Sequence, residues 1–265
     1  MSTSPPLALV LGGTGTTGRR VVDRLTAMGH AVRVGSRTGT PPFEWDDRDT
    51  WKPVLDGVDA VYIVHPNPFH PDYTEQIGAL AHAAADAGAG RLVLLSGRGD
   101  EVSAASEEAV KTTGAQWTVL RASWFNQNFS ESFFTDAVRA GDIRLPAGDF
   151  TEGFVDADDI ADVAVAALTG DGHHGKTYVL SGPRLLSFAD VAAALSTATG
   201  RTITYTPIPP EAVPADEPDF SAAFDSEPTA PHRILAHGVQ QALGRPPKSF
   251  AEYARDAAAT GVWDL

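Results

Sequence analysis

The sequence contains no cysteine among its 265 residues. This absence excludes disulfide bonds, zinc sites with cysteine ligands and catalysis by a thiol nucleophile. A chain without cysteine suits the reducing interior of a cell, so we expect a cytoplasmic protein. The remaining residue types show no ligand spacing typical of a metal site, and we expect none.

Long apolar runs and a surplus of basic residues are also missing. No stretch approaches the roughly 18–20 uninterrupted apolar residues of a membrane-spanning helix. Residues 1–6 carry no basic charge ahead of an apolar segment, so we expect no signal peptide there. The 20 Lys and Arg residues stand against 34 Asp and Glu, a formal net charge of −14. We therefore expect neither nucleic acid nor a membrane as a partner, and we attribute the acidic balance to solubility.

A glycine-rich turn near the start of the chain is the most informative motif. An apolar run over residues 7–11 leads into this turn, which leads into apolar residues at helical spacing. Gly12, Gly15 and Gly18 follow the pattern G-x-x-G-x-x-G. Gly12 permits a tight exit from the strand, Gly15 permits close approach of a pyrophosphate, and Gly18 should let the helix pack closely on the sheet. The following helix N-terminus attracts phosphates. We expect a dinucleotide site here; the alternative is a glycine-rich turn that binds nothing.

The end of the second predicted strand, residues 31–35, indicates which dinucleotide is bound. Sites that prefer NAD place a carboxylate about 20 residues beyond the glycines. Here Ser36 and Arg37 follow the strand instead. A hydroxyl and a guanidinium suit a 2′-phosphate, so the predicted cofactor is NADPH/NADP+. The competing interpretation is a surface arginine that merely follows a strand.

Apolar segments alternate with helical patterns through the first half of the chain. The sequence predicts strands at residues 7–11, 31–35, 40–45, 58–64, 91–95 and 116–121. This alternation is typical of an α/β protein with a Rossmann-like, doubly wound parallel sheet. Asp46 and Asp47 follow the third segment. One of them could accept a hydrogen bond from adenine, or Asp46 could cap the next helix.

The last third of the chain predicts a small α/β C-terminal substrate region. We expect strands at residues 153–155, 176–180 and 203–206, the last at the edge of the sheet, and a terminal helix at residues 250–259 that packs back on the sheet. The acidic residues of the helix predicted at residues 156–168 suit the helix dipole and should be structural rather than catalytic. We expect residues 1–145 to form an NADP-binding domain and residues 146–265 to complete the sheet and form the substrate region. Residues 207–231 contain seven prolines and six acidic residues but no Lys or Arg. Such composition resists packing, so it predicts a mobile lid or a tethered surface loop. Phe220 and Phe224 would form the apolar face of a lid.

Several stretches together resemble the NmrA-like, atypical short-chain dehydrogenase/reductases. They are LVLGGTGTTGRRVV, VGSR, FEWDDRDTW, RLVLLSG, QWTVLRASWFNQNFSE, EGFVDADDIADVAVAAL and YVLSGPRLLSFADVAAAL. The run GRPPKSFAEYARD resembles the branch of fungal ergot-alkaloid reductases that form festuclavine and agroclavine. The resemblance implies an NADPH-dependent reductase of a small polycyclic or aromatic ketone, quinone or imine in secondary metabolism. The same group contains non-catalytic, NADP(H)-binding redox sensors, which remain the alternative.

The resemblance also implies roles for individual residues. The cofactor would contact the pyrophosphate-binding residues Gly12, Thr14, Gly15, Thr16 and Thr17, the 2′-phosphate-binding residues Ser36 and Arg37, and Val64, His65, Ser96, Trp124, Phe125 and Asn126. The substrate would contact Gly97, Arg98, Trp124, Phe220 and Phe224. For Trp124 and Phe125, plain packing in a core is an equally good interpretation.

The acid typical of short-chain reductases is missing. Those enzymes carry a Tyr-x-x-x-Lys pair on the helix after the strand that here ends at Ser96. No tyrosine lies between Ser96 and Arg121, and Lys111, the only lysine there, is predicted to face solvent. Either the reaction needs no strong protein acid, or the chain binds cofactor without reducing anything. Ser96 is the candidate catalytic residue, as a donor to the substrate; its simpler role is a bond to the backbone or the nicotinamide.

Overall fold

The computed structural model describes residues 6–98, 101–213, 224 and 234–264. The chain divides into two compact units, and neither is one continuous stretch. Unit 1 is Met1–Ala122, Ala157–Leu180 and His237–Arg245; unit 2 is Ser123–Asp156, Ser181–Ala236 and Pro246–Leu265. A single boundary at residue 145 does not describe these units, because two later segments return to unit 1. The cofactor and substrate roles given to the two regions stay predictions.

The described residues contain ten strands and nine α-helices. The strands are β1 (Leu7–Leu11), β2 (Ala31–Gly35), β3 (Ala60–Ile63), β4 (Arg91–Gly97), β5 (Gln116–Ala122), β6 (Asp142–Leu145), β7 (Thr151–Glu152), β8 (Lys176–Leu180), β9 (Leu186–Ser187) and β10 (Thr204–Pro207). The helices are α1 (Thr16–Ala27), α2 (Trp51–Leu55), α3 (Tyr73–Asp86), α4 (Glu101–Lys111), α5 (Thr135–Ala140), α6 (Ala157–Thr169), α7 (Phe188–Thr199), α8 (Gly238–Leu243) and α9 (Phe250–Ala258).

Six strands of unit 1 form one parallel sheet, in the order β2-β1-β3-β4-β5-β8. The strand order reverses at β1, where Val10 pairs with Val34 of β2 and with Tyr62 of β3. This topology confirms the predicted Rossmann-like, doubly wound sheet. In such sheets ligands bind beyond the carboxyl ends of the strands, at the point of reversal. The glycine-rich turn follows β1 at that point.

Three expectations about strands were wrong in detail. The segment at residues 40–45 forms only an isolated bridge between Glu44 and Asp47, since its two prolines cannot donate to a ladder. The strand expected at residues 153–155 lies earlier, at β7, and pairs with β9. The strand β10 does not join the edge of the large sheet; it pairs in parallel with β6 inside unit 2.

The two units have cores of different composition. The core of unit 1 is mainly aliphatic and includes Leu9, Leu11, Val54, Ile63, Ile77, Leu80, Leu92, Leu94 and Val110. The core of unit 2 is rich in aromatic rings: Phe129, Phe134, Phe150, Phe154, Phe188, Phe224, Phe250, Tyr253 and Trp263. Helix α9 packs on α7 in this aromatic core, whereas we expected it to pack on the sheet. Aromatic pairs contribute about 0.5–1.5 kcal/mol beyond the area they bury.

Acidic residues at the start of α6 join three helices of unit 1. Arg24 of α1 donates to Asp158 at 2.9 Å and to Asp162 at 2.5 Å. Arg245, which follows α8, donates to Asp159 at 2.6 Å and also pairs with Asp162. These contacts bind the returning segment to the rest of unit 1, so the acids are structural, as expected.

No helix among the described residues has both the length and the apolar composition needed to cross a membrane. In the same part of the chain, no group of three His, Asp or Glu side chains is arranged to hold a metal ion.

Candidate functional site

The glycine-rich turn brings helix α1 into direct contact with the backbone that precedes it. Gly12 has a φ of +59°, a conformation that favours glycine, and its N–H donates to the carbonyl of Gly35 at 3.0 Å. A Cβ at Gly18 would lie 2.2 Å from the carbonyl oxygen of Gly12. Gly18 is therefore required because the helix rests on the turn itself, a closer approach than the expected packing on the sheet.

The first turn of α1 presents backbone donors without acceptors. Gly15 is the N-cap residue, is exposed and has no side chain to cap the helix. Within the described residues, no group accepts from the N–H of Thr16, Thr17 or Gly18. The first turn also contains no acidic residue that would repel an anion. Three free N–H groups at the positive end of a helix dipole fit a pyrophosphate.

The threonines of the turn have different orientations. Thr14 is exposed, whereas Thr17 is buried and its Oγ1 accepts from the hydroxyl of Tyr62 at 3.0 Å. Burial raises the pKa of Tyr62 far above its usual range, so this hydroxyl keeps its proton. The backbone N–H of Thr17 is available to a pyrophosphate, while its Oγ1 is engaged as an acceptor from Tyr62, a contact that the sequence did not reveal.

Ser36 and Arg37 lie beside the glycine-rich turn, because the bond from Gly12 to Gly35 joins the turn to the end of β2. Arg37 is exposed and has no hydrogen-bond or ion-pair partner in the described part of the chain. The hydroxyl of Ser36 likewise has no described partner. An unpaired guanidinium next to a phosphate-binding turn fits the 2′-phosphate of NADPH.

Val64 and His65 follow β3 at the same edge of the sheet. The side chain of Val64 lies against the turn, with Cγ1 3.0 Å from the position that a Cβ would take at Gly12. His65 is buried, and its Nε2 lies 2.9 Å from Oε1 of Gln76. Burial is the main cause that lowers the pKa of His65, so its ring is neutral. His65 can line a cofactor with its ring, but this nitrogen is already engaged.

Asp46 determines how that histidine is protonated. The amide Nε2 of Gln76 donates to Oδ1 of Asp46 at 2.7 Å, so Gln76 turns its oxygen toward His65. Nε2 of the neutral ring then carries the proton. Nδ1 accepts from the N–H of Asn67 at 3.1 Å and also lies 2.8 Å from the carbonyl oxygen of Asn67. The helix cap that we considered for Asp46 is instead made by Asp47, which accepts from the N–H of Asp49. Asp46 remains exposed.

Ser96, the candidate catalytic residue, bonds to a carboxylate that the sequence reasoning missed. Its Oγ lies 2.9 Å from Oε1 of Glu107, and Glu107 pairs with Arg121. Ser96 and Glu107 are 4% and 1% exposed. A signal was present, because Ser103, Ser106, Glu107 and Val110 follow the i, i+3, i+4, i+7 spacing of an inward helix face.

Lys111 is not the solvent-facing residue that we expected. Its side chain is 21% exposed, its ammonium lies 5.4 Å from the ring centroid of Trp117, and it bonds to Glu108 at 2.7 Å. The stem covers apolar surface while the charge stays paired at the rim. Gly97 and Arg98, the expected substrate contacts on β4, are half-buried at the end of that strand.

The remaining predicted residues belong to unit 2. The ring of Trp124 stacks on Phe134 at 6.2 Å and lies 5.6 Å from Phe224, which favours the packing interpretation for Trp124. Phe125 is half-buried and forms a backbone bridge with Val155. Phe224 is buried in the aromatic core. The lid prediction and Phe220 lie largely outside the described residues, which omit 214–223 and 225–233.

Asn126 has a buried acceptor that no described group satisfies. Its Nδ2 donates to Oδ2 of Asp156 at 3.2 Å, and the amide of Gln127 donates to Oδ1 at 3.1 Å. An ionised carboxylate only accepts, so the Asn126 amide must turn its NH₂ toward Asp156. Oδ1 of Asn126 is thereby directed elsewhere and has no partner. Neither Asp156 nor Gln127 was predicted as a site residue, because only the contacts of Asp156 with Asn126 and Gln127 give them a role.

Comparison with known proteins places these features in a recognised group. A sequence model described as the NmrA-like family matches residues 43–220. The chain is 33% identical to the uncharacterized oxidoreductase YesF of Bacillus subtilis over 96% of this chain and 97% of that protein. It is 32% identical to an NAD(P)H azoreductase of Xenophilus azovorans, over 96% and 98%. It is 31% identical to agroclavine dehydrogenase of Claviceps fusiformis, over 94% and 96%.

Solved structures agree on the fold. The triphenylmethane reductase of Citrobacter, crystallised with NADP(H), superposes with a TM-score of 0.76 at 21% identity, over 95% of this chain and 99% of that chain. The negative transcriptional regulator NmrA, in complex with NAD, gives 0.76 at 18% identity over both full chains. At these identities the similarity shows the fold alone. The glycine-rich turn precedes the range that the family model matches.

Proposed function

The chain belongs to the NmrA-like family, as its motifs predicted, and we propose that it is an NADPH-dependent oxidoreductase acting on a small aromatic or polycyclic metabolite. The observation that carries the cofactor assignment is the open first turn of α1 beside the unpaired Arg37. The reductase assignment is supported by relatives named as oxidoreductase, azoreductase and agroclavine dehydrogenase, each matched over more than nine-tenths of this chain.

Each group at the turn acts on a different part of the cofactor in this proposal. The N–H groups of Thr16, Thr17 and Gly18 bind the pyrophosphate, and Arg37 with Ser36 binds the 2′-phosphate. NADPH, when bound, supplies a hydride for reduction. The glycine-rich turn fixes the position of the nucleotide, which is the main way in which a protein assists hydride transfer.

The class of hydride acceptor that we propose follows from the absence of the Tyr-x-x-x-Lys pair. No tyrosine lies between Ser96 and Arg121, and Lys111 is engaged with Glu108 and the ring of Trp117. An iminium is already an electrophile, and a quinone can take its proton from water, so neither needs a strong protein acid. We therefore propose an imine, a quinone or a self-activated aromatic ketone of secondary metabolism as the substrate. The chain then contributes positioning and exclusion of water.

Substitution of Arg37 tests the cofactor assignment. We expect Arg37→Ala to weaken NADPH binding by about 10- to 100-fold, because a charge-assisted hydrogen bond is worth about 1.5–3 kcal/mol. NADH lacks the 2′-phosphate, so its dissociation constant should change by less than about threefold. Fluorescence titration measures both constants. Arg91→Ala is the control, because Arg91 lies at the amino end of β4, whereas the glycine-rich turn follows the carboxyl end of β1, and Arg91 pairs with Asp171. Equal losses of affinity for NADPH and NADH in Arg37→Ala would contradict the assignment.

A turnover screen tests the reaction itself. We expect the chain to oxidise NADPH in the presence of at least one acceptor from a panel of imines, quinones and aromatic ketones, measured by loss of NADPH absorbance. Arg37→Ala should lower that turnover at limiting NADPH. Tight binding of NADPH with no turnover of any acceptor would favour the alternative, an NADP(H)-binding regulator that senses redox state.

A further inference from the structure

The hydroxyl of Ser96 is held by an ion pair that the proposed function does not use. Its Oγ lies 2.9 Å from Oε1 of Glu107 and 3.4 Å from the carbonyl oxygen of Gly97. Arg121 contacts both carboxylate oxygens of Glu107, with Nε 2.7 Å from Oε1 and Nη2 2.5 Å from Oε2. Every described partner of Ser96 Oγ is an acceptor, so Oγ receives no hydrogen bond from the described chain.

The charge on Glu107 fixes the direction of the serine proton. The two-pronged contact with Arg121 favours the ionised carboxylate, and Nζ of Lys111 lies 3.9 Å from Oε2. An ionised carboxylate can only accept, whereas serine has one O–H and two lone pairs. Glu107 is both nearer and more strongly accepting than the Gly97 carbonyl. The proton of Ser96 therefore points at Glu107, and its lone pairs are left to a ligand.

The elements that carry these groups are regular and belong to one unit. Ser96 and Arg121 are register partners on adjacent strands, β4 and β5. Glu107 lies on α4, where its side chain reaches the same two residues from the inward face of the helix. Because strands and helices hold side chains more rigidly than loops do, this arrangement fixes the orientation of the hydroxyl before a ligand binds.

We propose that Ser96 accepts a hydrogen bond from the bound ligand, and that Glu107 and Arg121 are positioning residues that hold its hydroxyl in this sense. The proposal rests on the proposed function, since β4 ends at the edge of the sheet where the nucleotide would lie. It reverses the role that we expected for Ser96, because a proton directed at Glu107 is not available to a substrate carbonyl. The complementary ligand group is an N–H or O–H, either the carboxamide of the nicotinamide or a donor on the substrate.

Pairing a cofactor analogue with side-chain variants tests the direction of this bond. In the 3-acetylpyridine analogue of NADP⁺ a methyl group replaces the carboxamide NH₂, while the carbonyl is kept. We expect the full chain to bind NADP⁺ about tenfold more tightly than the analogue, one neutral hydrogen bond. Ser96→Ala should lower the ratio of the two affinities, NADP⁺ over the analogue, by about tenfold. Ser96→Thr, which keeps the hydroxyl, should preserve this ratio. A ratio of two ligands is insensitive to a merely structural loss.

Two further variants separate positioning from bulk stability. Glu107→Leu leaves the hydroxyl of Ser96 free to rotate, so the ratio should fall about threefold although Ser96 is unchanged. Ser106→Ala is the matched control, because Ser106 is buried on the same helix and donates only to the carbonyl of Ser103. Its ratio should equal that of the unmodified chain.

The possible outcomes are distinct. If Ser96→Ala leaves the ratio unchanged but raises the KM of a hydroxyl- or amine-bearing acceptor about tenfold, the proposal holds with the substrate as donor. An unchanged ratio together with an unchanged KM overturns it. If the unmodified chain binds neither NADP⁺ nor NADPH, the proposed function itself fails, and this inference fails with it.

Discussion

Two of the buried carboxylates, Glu107 in unit 1 and Asp156 in unit 2, are stabilised in different ways. Glu107 in unit 1 receives a two-pronged contact from Arg121 and a hydroxyl from Ser96. Asp156 in unit 2 receives the side-chain amides of Asn126 and Gln127. The ammonium of Lys248 lies 4.0 Å from Asp156 and closer, at 2.9 Å, to Asp256.

The difference separates a closed network from an open one. Around Glu107, every buried side-chain nitrogen and oxygen atom in the described chain has a hydrogen-bond partner, and a fully hydrogen-bonded network is rigid. Around Asp156, the carboxylate orients Asn126 but leaves its Oδ1 without a donor. A buried acceptor without a partner costs about 1–3 kcal/mol, and such groups in native proteins commonly mark a functional site. The closed network should therefore serve mainly to position Ser96, whereas the open one needs a further donor.

The largest expected effect comes from opening the closed network. Arg121→Met should lower the free energy of unfolding by about 2–4 kcal/mol, because it leaves the buried Glu107 with the Ser96 hydroxyl and the more distant Lys111 ammonium. Breaking a buried pair typically costs about 3–5 kcal/mol, and we reduce the figure because the Arg121 side chain is 37% exposed. Urea unfolding followed by tryptophan fluorescence measures the change.

The double variant Arg121→Met/Glu107→Leu is the control for that prediction. It removes both charges together, so most of the lost stability should return, as is common when a buried pair is replaced by apolar side chains. A single variant that loses less than about 1 kcal/mol would mean that Glu107 is not held by Arg121 in solution.

A smaller effect is expected when the unsatisfied acceptor of Asn126 is removed. Asn126→Leu removes the unsatisfied acceptor along with one donor to Asp156, so these two changes partly cancel. Gln127→Leu removes a donor of the same kind without that gain. We expect Asn126→Leu to be the more stable of the two variants by about 1–3 kcal/mol, measured by urea unfolding. Equal losses would indicate that Oδ1 of Asn126 already has a donor, such as an internal water.

The sequence predicted the parts of the site that depend on neighbouring residues. The turn at Gly12, Gly15 and Gly18 is defined by backbone sterics over seven positions, and the strand predicted at Lys176–Leu180 has these bounds in the structure. The position of Arg37 directly after β2 is likewise local. The fold class and the family, both predicted from such local motifs, were confirmed.

The contacts that assign chemistry to the site were not predictable in this way. Glu107 meets Ser96 across 11 positions and Arg121 across 14, and Asn126 meets Asp156 across 30. Helical spacing turns Glu107 inward and leaves Glu108 exposed, but it does not show that Glu107 reaches Ser96 and Arg121. The direction of the Ser96 hydroxyl depends on that contact, so the sequence suggested a donor where we propose an acceptor. The return of His237–Arg245 to unit 1 also depends on distant ion pairs.

The smallest effect concerns a buried titratable group that stays neutral instead of being held by donors as the two carboxylates are. Burial lowers the pKa of His65, so between pH 7.5 and 5.5 the unfolded chain takes up a proton at His65 more readily than the folded chain does. The stability that neutral His65 contributes is complete above its unfolded pKa, and it is lost as pH falls toward the lower, folded pKa. His65→Gln should therefore flatten the decline of the unfolding free energy over this range, by at most about 1.4 kcal/mol per pH unit. A slope that His65→Gln does not alter would mean that His65 takes up its proton in the folded chain as readily as in the unfolded one. Unit 1 would then tolerate a charged imidazole at this buried position, whereas the buried carboxylate of Glu107 is paired with Arg121.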